Sequence, residues 1–371
     1  MRFLFVVQGE GRGHLTQALA MERLLTQAGH EVVEMLVGKS NSRQLPGFFN
    51  RNVRAAVSRF DSPNFLPSAT TGRANLTKSI TYNMTCLTAY WHSIRFIREK
   101  IEHSGADAVI NFYELLVGMT YALHRIRIPQ ICIGHQYLFL HHDFKTPFQQ
   151  HVDMQLLRLF TRMTAWGAAR KLALSFHTLP ADREEKIVVV PPLLRREVLS
   201  QKAVPGDYVH GYMLNPGFVE QVKAWHARHP EVSLRFFWDK SNAPAVKRVD
   251  DTLILYQIDD VEFLKQMRGC GAYATTAGFE SICEAMYWGK PILMVPAHIE
   301  QECNAWDAAR NGAGIISDDF NLDRLLEFAR DYRPDKAFQA WVQSAGEIIL
   351  SEIEAVVHES MPDEALVSAA C

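Results

Sequence analysis

The chain has 371 residues, of which 48% are hydrophobic and 22% are charged, proportions that are typical of globular proteins and exclude a disordered or fibrous chain. The 39 Lys and Arg residues nearly balance the 41 Asp and Glu residues, so the net charge of -2 gives no general attraction to nucleic acid, and no nucleic-acid partner is expected. The six cysteines lack metal-ligand spacing, and no apolar run approaches the ~20 residues that span a bilayer, so we expect a reduced, cytoplasmic protein. At roughly 150 residues per domain, the length predicts two or three domains.

The first half of the sequence alternates strand-like and helical segments. Residues 2–8 are a short apolar run, residues 9–14 (GEGRGH) a glycine-rich loop, and residues 15–29 have apolar positions at helical spacing before a strand at 30–38. This strand-helix-strand unit predicts a parallel sheet covered by helices. Further strand-like runs follow at 107–112, 128–134, 171–176 and 186–192.

A proline- and glycine-containing stretch at 191–207 is typical of a linker, and a second alternating series follows it. An amphipathic helix is predicted at 336–357. The strand-like runs of the second series lie at 208–214, 233–238, 252–258, 271–278, 291–296 and 312–317.

This organisation predicts the α/β class, with two Rossmann-like doubly wound domains that face each other across a cleft. We place the first domain at residues 1–198 and the second at 206–335. Residues 336–371 form a C-terminal helical segment that could pack back on the first domain.

The GEGRGH loop carries Gly9, Gly11 and Gly13 but has His14 where a dinucleotide fingerprint requires glycine, and no acidic residue ends the next strand. The loop instead places a histidine at a helix N-terminus, at the carboxyl ends of the strands. The helix dipole disfavours imidazolium there, so His14 is predicted to be neutral and able to accept a proton. An N-cap role for His14 is the alternative, and Arg12 could bind an anion or be solvated.

The densest polar motif is TTAGFESICEAMYWGKPILMVPAHIEQECNA, residues 275–305. A strand ends there in a small-residue turn, and a helix starts near Gly278. The free backbone N–H groups of that helix suit a diphosphate, with the hydroxyls of Thr275, Thr276 and Ser281 as further donors.

Glu284 lies one turn further along this helix, where a carboxylate can accept both hydroxyls of a ribose. A loop after the next strand is predicted to present Glu300, Gln301 and Asn304, which can bond sugar hydroxyls and a phosphate. The alternative is an ordinary α/β unit with polar surface residues.

The segment 275–305 resembles the nucleotide-sugar donor motif of GT-B glycosyltransferases, GGxxSxxEAxxxGxPxxxxPxxxDQxxNA, as found in the peptidoglycan N-acetylglucosaminyltransferase and in the UDP-glycosyltransferases. GEGRGH is similar to the N-terminal loop of the same group, in which a His or Asp is assigned as the base. The matching residues of the donor motif are Ala277, Gly278, Ser281, Glu284, Ala285, Gly289, Pro291, Pro296, Gln301, Asn304 and Ala305.

The resemblance implies a nucleotide-sugar donor, most commonly UDP-linked, bound by the second domain, and an acceptor bound by the first. It implies that Glu284 binds the ribose and that Glu300 and Gln301 bind the donor sugar. It also implies that the backbone at Tyr256 and Ile258 contacts the base, and that Gly278, Phe279 and Ser281 surround the diphosphate.

Two departures from the motif bear on the mechanism. Thr276 replaces a common histidine and Ala277 the first glycine, so the phosphate contacts are expected to differ. The retaining E-x(7)-E pattern would need an acid at 276, so Thr276 favours an inverting enzyme with His14 as base. Asp-x-Asp is absent at the strand ends, so neither a metal nor a cofactor is expected, the nucleotide sugar being a co-substrate.

The acceptor, whether glycan, lipid-linked or small molecule, is not indicated, but three residues beside Arg12 are predicted to face it. Glu114 follows a strand and could orient His14 or start a helix, and His135 and Tyr137 lie on a loop after another strand. The neighbouring histidine pair at 141 and 142 lacks a third metal ligand at sensible spacing.

Residues 154–174 combine basic and apolar side chains, which predicts a basic amphipathic helix in peripheral contact with an anionic membrane, or an ordinary packed helix. Two other functions share the fold features. A UDP-N-acetylglucosamine 2-epimerase-like enzyme is disfavoured because residues 298–305 contain no arginine, and a non-catalytic sugar-nucleotide-binding protein is disfavoured by His14.

Overall fold

Two seven-stranded sheets organise the part of the chain that the structure describes. The structure, a computed structural model, describes residues 1–39, 45–63, 86–213, 216–238 and 244–360. Residues 361–371 of the predicted C-terminal segment lie outside these ranges.

The first sheet is parallel throughout its described pairs and has the order β3-β2-β1-β4-β5-β6-β7. Its inner strands are apolar and buried along most of their length, as expected where helices cover a parallel sheet. The strands are β1 (Arg2–Val7), β2 (Glu31–Lys39), β3 (Ala56–Asp61), β4 (Ala108–Phe112), β5 (Gln130–Gly134), β6 (Ala168–Leu174) and β7 (Ile187–Val190). The helices are α1 (Arg12–Gln27), α2 (Gly47–Asn52), α3 (Leu87–His103), α4 (Leu115–Leu123) and α5 (Val152–Thr164), with a 3-10 helix at His135–Leu140.

The second sheet has the order β10-β11-β9-β8-β12-β13-β14, and β10 pairs antiparallel at its edge. The strands are β8 (Val209–Met213), β9 (Leu234–Trp238), β10 (Val246–Arg248), β11 (Leu253–Gln257), β12 (Ala272–Thr275), β13 (Ile292–Met294) and β14 (Gly314–Ile316). A short helix α6 (Arg196–Ser200) lies in the predicted linker between the sheets. The helices of this half are α7 (Val219–His226), α8 (Asp260–Gly269), α9 (Phe279–Tyr287), α10 (Ile299–Arg310) and α11 (Leu322–Asp331), and a 3-10 turn lies at Pro216–Phe218.

Strand order reverses direction beside β1 in the first sheet and beside β8 in the second. The loop after β1 leads into α1, and the loop after β12, the neighbour of β8, leads into α9. Crevices at such reversals are where open α/β sheets bind ligands. The predicted α/β class with two parallel-sheet domains is confirmed, and both sequence motifs lie at these two points.

The C-terminal segment forms two helices, α12 (Lys336–Gln343) and α13 (Ala345–Glu359), so the prediction of one continuous helix is wrong. The chain turns at Ser344, whose N–H bonds the carbonyls of Ala340 and Trp341. α13 lies against the first sheet, because Arg170 on β6 pairs with Glu352 at 2.7 Å and with Glu359 at 3.0 Å.

The basic helix predicted at 154–174 is correct only as far as Thr164, where α5 ends. Gly167, with a φ of 73°, lies in the turn that follows, and the chain continues as β6. Arg170 and Lys171 therefore lie on a strand, where they pair with acidic side chains. None of the helices in the described ranges is both long and apolar enough to cross a membrane.

Candidate active site

The N-termini of α1 and α9 meet across the two domains. The Gln17 amide donates to the Glu280 carboxylate, and the Gly13 Cα lies so close that a Cβ there would be 2.5 Å from Glu280 Oε2. Arg12 pairs with Asp260 of α8 at 3.4 Å. Burial against α1 raises the pKa of Glu280 to about 7. The sequence motifs did not reveal these contacts, since each joins two distant segments.

His14 lies in the first turn of α1 and is only 8% exposed. Its ring stacks on Tyr113 with 5.5 Å between centroids, and its Nδ1 has no hydrogen-bond partner among the described residues. Burial lowers the pKa of His14 to about 4, so the ring is neutral at neutral pH. The N-cap alternative is wrong, because Gly11 occupies the N-cap.

The N-terminus of α9 offers hydrogen-bond donors without acceptors. Gly278 is the N-cap and has no side chain, so the N-cap residue supplies no acceptor to the first backbone N–H groups of the helix. The hydroxyls of Thr275 and Thr276 are buried and have no partner in the described part of the chain. Ser281 instead donates to the Gly278 carbonyl at 3.1 Å. Uncapped N–H groups, two free hydroxyls and the helix dipole together suit an anion.

Glu284 is buried in a two-pronged ion pair with Arg195 from the interdomain linker, at 2.6 and 2.7 Å. Arg195 also lies 3.6 Å from Asp260. Both oxygens of the predicted ribose-binding carboxylate therefore have a cationic partner. Sequence analysis missed Arg195 because a linker arginine carries no local signal of its distant partner.

The predicted loop around Glu300 is wrong, since residues 299–310 form α10. His298 is its N-cap, and Glu300 and Glu302 in the first turn favour the helix through its dipole. Glu300 accepts a bond from Gln136 at 3.0 Å. Of the other two predicted residues, Gln301 makes a local bond, its Oε1 accepting from the Ala297 N–H at 2.9 Å. Asn304 links α10 to the turn before α9, its Nδ2 donating to the Ala277 carbonyl at 3.1 Å.

The residues predicted to contact the base lie where β11 ends. Tyr256 stacks on Phe237 with 4.8 Å between ring centroids, and the Ile258 N–H bonds the Trp238 carbonyl at 3.1 Å. These contacts hold the end of β11 against β9, on the same carboxyl edge of the sheet as the N-terminus of α9.

The predicted acceptor-side residues separate in the structure. The Glu114 carboxylate caps α4 by accepting from the Leu116 N–H, and it also accepts from the Ser62 hydroxyl at 2.7 Å. Glu114 therefore starts a helix and makes no bond to His14. Burial raises the pKa of Glu114 to about 7. Tyr137 is fully buried and bonds Thr164 at 3.0 Å. His135 stacks on Phe279, the first residue of α9, and thus lies beside the donor motif.

The structure places the Asp182 carboxylate beside His141 and His142, where it could be the third metal ligand that the sequence did not reveal. However, both His141 ring nitrogens already bond the backbone, Nε2 to the Pro180 carbonyl at 2.8 Å and Nδ1 to the Asp143 N–H at 3.1 Å. Asp182 in turn accepts from His142 at 3.0 Å. With its nitrogens engaged, His141 does not fit the role of a metal ligand.

Gly13→Ala is expected to weaken the contact between the domains. Its methyl group would displace the Glu280 carboxylate and break the bond to Gln17, a loss of about 1–2 kcal/mol that urea unfolding would measure. Gly11→Ala is the matched control, because a Cβ there meets nothing nearer than 3.7 Å. If the Glu280→Ala background does not remove the difference between the two variants, the steric explanation is wrong.

The comparisons with known proteins agree with the fold and with the resemblance drawn from the motifs. UGT89C1 from Arabidopsis thaliana complexed with UDP matches with a TM-score of 0.64 at 16% identity, covering 97% of this chain and 99% of its own. CalG4, the calicheamicin glycosyltransferase, matches with a TM-score of 0.62 at 16% identity, covering 98% of this chain and 100% of its own. The kitacinnamycin glycotransferase matches with a TM-score of 0.59 at 17% identity, covering 97% of this chain and 99% of its own. No curated protein sequence matches the chain. The sequence profile of glycosyl transferase family 1 spans residues 1–332, so the chain belongs to this family and is a glycosyltransferase.

Proposed function

We propose that this protein is an inverting, metal-independent glycosyltransferase that moves a sugar from a UDP-sugar to an acceptor hydroxyl, with His14 as the general base. The observation that carries the proposal is that α1, which holds a buried, neutral histidine with a free Nδ1, meets the N-terminus of α9 through the contacts of Gly13 and Gln17 with Glu280. UGT89C1, of similar fold, has been solved with UDP and with UDP-L-rhamnose, which favours a uracil nucleotide here.

In the proposed reaction His14 takes the proton of the acceptor hydroxyl, and the acceptor oxygen forms a bond to the anomeric carbon. The bond between that carbon and the diphosphate oxygen breaks at the same time, and the nucleoside diphosphate leaves with the electron pair. The N–H groups of α9 and the hydroxyls of Thr275 and Thr276 stabilise the developing charge. These donors serve the role that a divalent cation has in metal-dependent transfer.

Binding of a nucleoside diphosphate without metal is the first expected result. A thermal-shift screen would compare UDP, dTDP, GDP and CDP, each with magnesium and with EDTA. Ligand at ~100 times its dissociation constant adds ~2.7 kcal/mol of stability, which is measurable in a two-domain protein. We expect a shift with UDP that is unchanged by EDTA.

A Thr276→Val variant serves as the control for the site, since it removes one unpartnered hydroxyl while keeping the shape of the side chain. Its shift with UDP should be smaller than that of the unaltered protein. A shift that requires magnesium would contradict metal independence, and the absence of a shift with every nucleotide would contradict the donor site.

A further inference from the structure

A carboxylate of the second domain is held by an amide of the first. Glu280, in the first turn of α9, accepts a hydrogen bond from the Gln17 amide of α1, and the Cα of Gly13 lies beside it. Gln17 is only 1% exposed, so this bond lies inside the contact between the domains. Neither Gln17 nor Glu280 reacts in the proposed transfer, so the bond between them calls for another explanation.

The carboxylate fixes the orientation of the Gln17 amide. An ionised carboxylate only accepts hydrogen bonds, so the Gln17 nitrogen points to Glu280 and the Gln17 oxygen remains for another donor. His14 lies three residues earlier on α1, and residues at that spacing are neighbours on one face of a helix. The Gln17 oxygen is therefore available to the His14 ring.

The protonation of His14 reports the same contact. Burial lowers the pKa of His14, and hydrogen bonding with the Gln17 side chain acts in the opposite direction. A hydrogen bond raises the pKa of a histidine when a ring N–H donates it, because the charged ring is the better donor. The partner atom must then be an acceptor, which in Gln17 is the side-chain oxygen. One ring nitrogen thus directs its proton at Gln17, and the other is left to accept a proton.

Gln17 therefore joins His14 of the first domain to Glu280 of the second. The ring donates to the oxygen of the amide, and the nitrogen of the amide donates to the carboxylate. When His14 takes the proton of the acceptor hydroxyl, the ring becomes a cation, which the carboxylate beyond the amide stabilises. Glu114, the carboxylate of the first domain that was predicted to orient His14, caps α4 instead.

We propose that Glu280 is a positioning residue for His14: acting through Gln17, it holds the ring in one tautomer and makes the alignment of the base depend on contact between the two domains. This inference rests on the proposed function. Because the connection runs from α9 to α1, it is broken when the domains separate. The base is then aligned only while the N-terminus of α9, where the diphosphate is proposed to bind, lies against α1.

The surroundings of Glu280 make its charge sensitive to pH. Burial is the main reason why the pKa of Glu280 is raised to about 7, and the negative charges of Glu300 on α10 and Glu284 on α9 raise it further, while hydrogen bonds act against them. Arg12 of α1 pairs with Asp260 of α8. As the pH rises through about 7, the carboxyl group therefore gains its charge, and the bond that it accepts becomes stronger.

Nitrogen NMR of isotope-labelled histidine tests the inference without a substrate, and His14→Ala identifies the His14 signals. In the unaltered protein we expect one tautomer of His14 and a change in its ring signals with a midpoint near pH 7, although the ring itself is protonated only near pH 4. Glu280→Gln keeps an acceptor for Gln17 but removes the charge, so it should abolish the change near pH 7. Gln17→Leu should abolish it too, and should leave both tautomers populated.

Asp307→Asn is the matched control. Asp307 on α10 is also a buried carboxylate at the contact between the domains, 3.8 Å from His177 of the first domain, and burial raises its pKa to about 7 as well. This variant removes a group that titrates at the same pH and should leave the His14 signals unchanged. Loss of the change near pH 7 in Asp307→Asn, or its persistence in Glu280→Gln, would overturn the inference.

The kinetic consequence is an effect on kcat. Gln17→Leu and Glu280→Gln should each slow hydrolysis of UDP-glucose, in which water is the acceptor, by ~10-fold without weakening the binding of UDP. In a His14→Ala background neither change should lower the residual rate further, because both act through the ring. A further loss in that background would overturn the inference and leave the proposed function standing. Normal turnover in His14→Ala would overturn the proposed function, and this inference with it.

Discussion

His14→Ala is expected to lower turnover by ~10²–10⁴-fold while leaving nucleotide affinity nearly unchanged, the pattern of a lost general base. The reason is geometric: His14 has a free, neutral ring nitrogen, and its ring lies in the first turn of α1, next to the residue that contacts Glu280 of α9. Release of nucleoside diphosphate in the presence of an accepted hydroxyl compound would measure turnover, and the thermal shift with UDP would measure binding.

The pH profile gives a second readout for His14. With a pKa of about 4, the ring becomes protonated and unable to accept a proton only as the pH falls through that value. The acid limb of kcat/KM due to this group should therefore lie near pH 4, well below the ordinary histidine range, and should be absent from the residual rate of His14→Ala. Normal turnover in this variant would remove His14 from the mechanism.

Glu284→Leu is expected to destabilise the protein by about 3 kcal/mol, because the largely buried guanidinium of Arg195 loses its two-pronged partner and keeps only Asp260 at 3.6 Å. The double variant Arg195→Leu/Glu284→Leu should recover most of this loss, since it replaces a buried ion pair by apolar groups. Urea unfolding of both variants would measure the difference. Glu102→Ala is a suitable control, since its pair with Arg98 is exposed and contributes about 0.5 kcal/mol.

The same pair bears on nucleotide binding. If Glu284 binds the ribose, as the resemblance implies, the hydroxyls of the nucleotide must compete with Arg195 for its oxygens. Arg195→Leu should then bind UDP more tightly than the unaltered protein. Weaker binding would mean that Arg195 itself holds the nucleotide, and the ribose role of Glu284 would be wrong.

Local sequence patterns predicted the strands of both sheets except β3 and β10, the strands at one edge of each sheet, and they predicted the two glycine-containing turns. Short apolar runs alternate along the sequence with segments of helical spacing, because buried parallel strands alternate with the helices that cover them. His14 and Gly278 each follow a predicted strand closely, so their places at the ends of β1 and β12 could be predicted. Periodicity did not predict the break at Gly167 or the start of α10, because a helix end depends on one backbone angle or a few capping groups. Nor could it pair Arg195 with Glu284, since only the folded chain brings the linker to α9.

In the candidate active site, too, the sequence predicted local features but not tertiary contacts. The hydroxyls and amides of residues 275–305 were predicted to form a polar site, but which of their atoms remain free depends on tertiary partners. His135 illustrates this point, because its sequence neighbourhood suggested the acceptor side, whereas stacking on Phe279 places it beside α9. Donor or acceptor character of a histidine is decided by the group opposite its other nitrogen, here the Leu174 carbonyl.

The return of the C-terminal helices to the first sheet constrains how the two halves can move. The chain passes from the first half to the second through the linker and comes back through α12, which bonds both halves: Gln339 to the Tyr287 carbonyl at 2.8 Å and Trp341 to the Ser175 carbonyl at 3.0 Å. Two domains joined by one connection can rotate about several axes, whereas two connections, here the linker and α12, define a single hinge axis. Opening for substrate exchange is therefore expected to be a rotation about the line through these two connections, with the residues farthest from that line moving most.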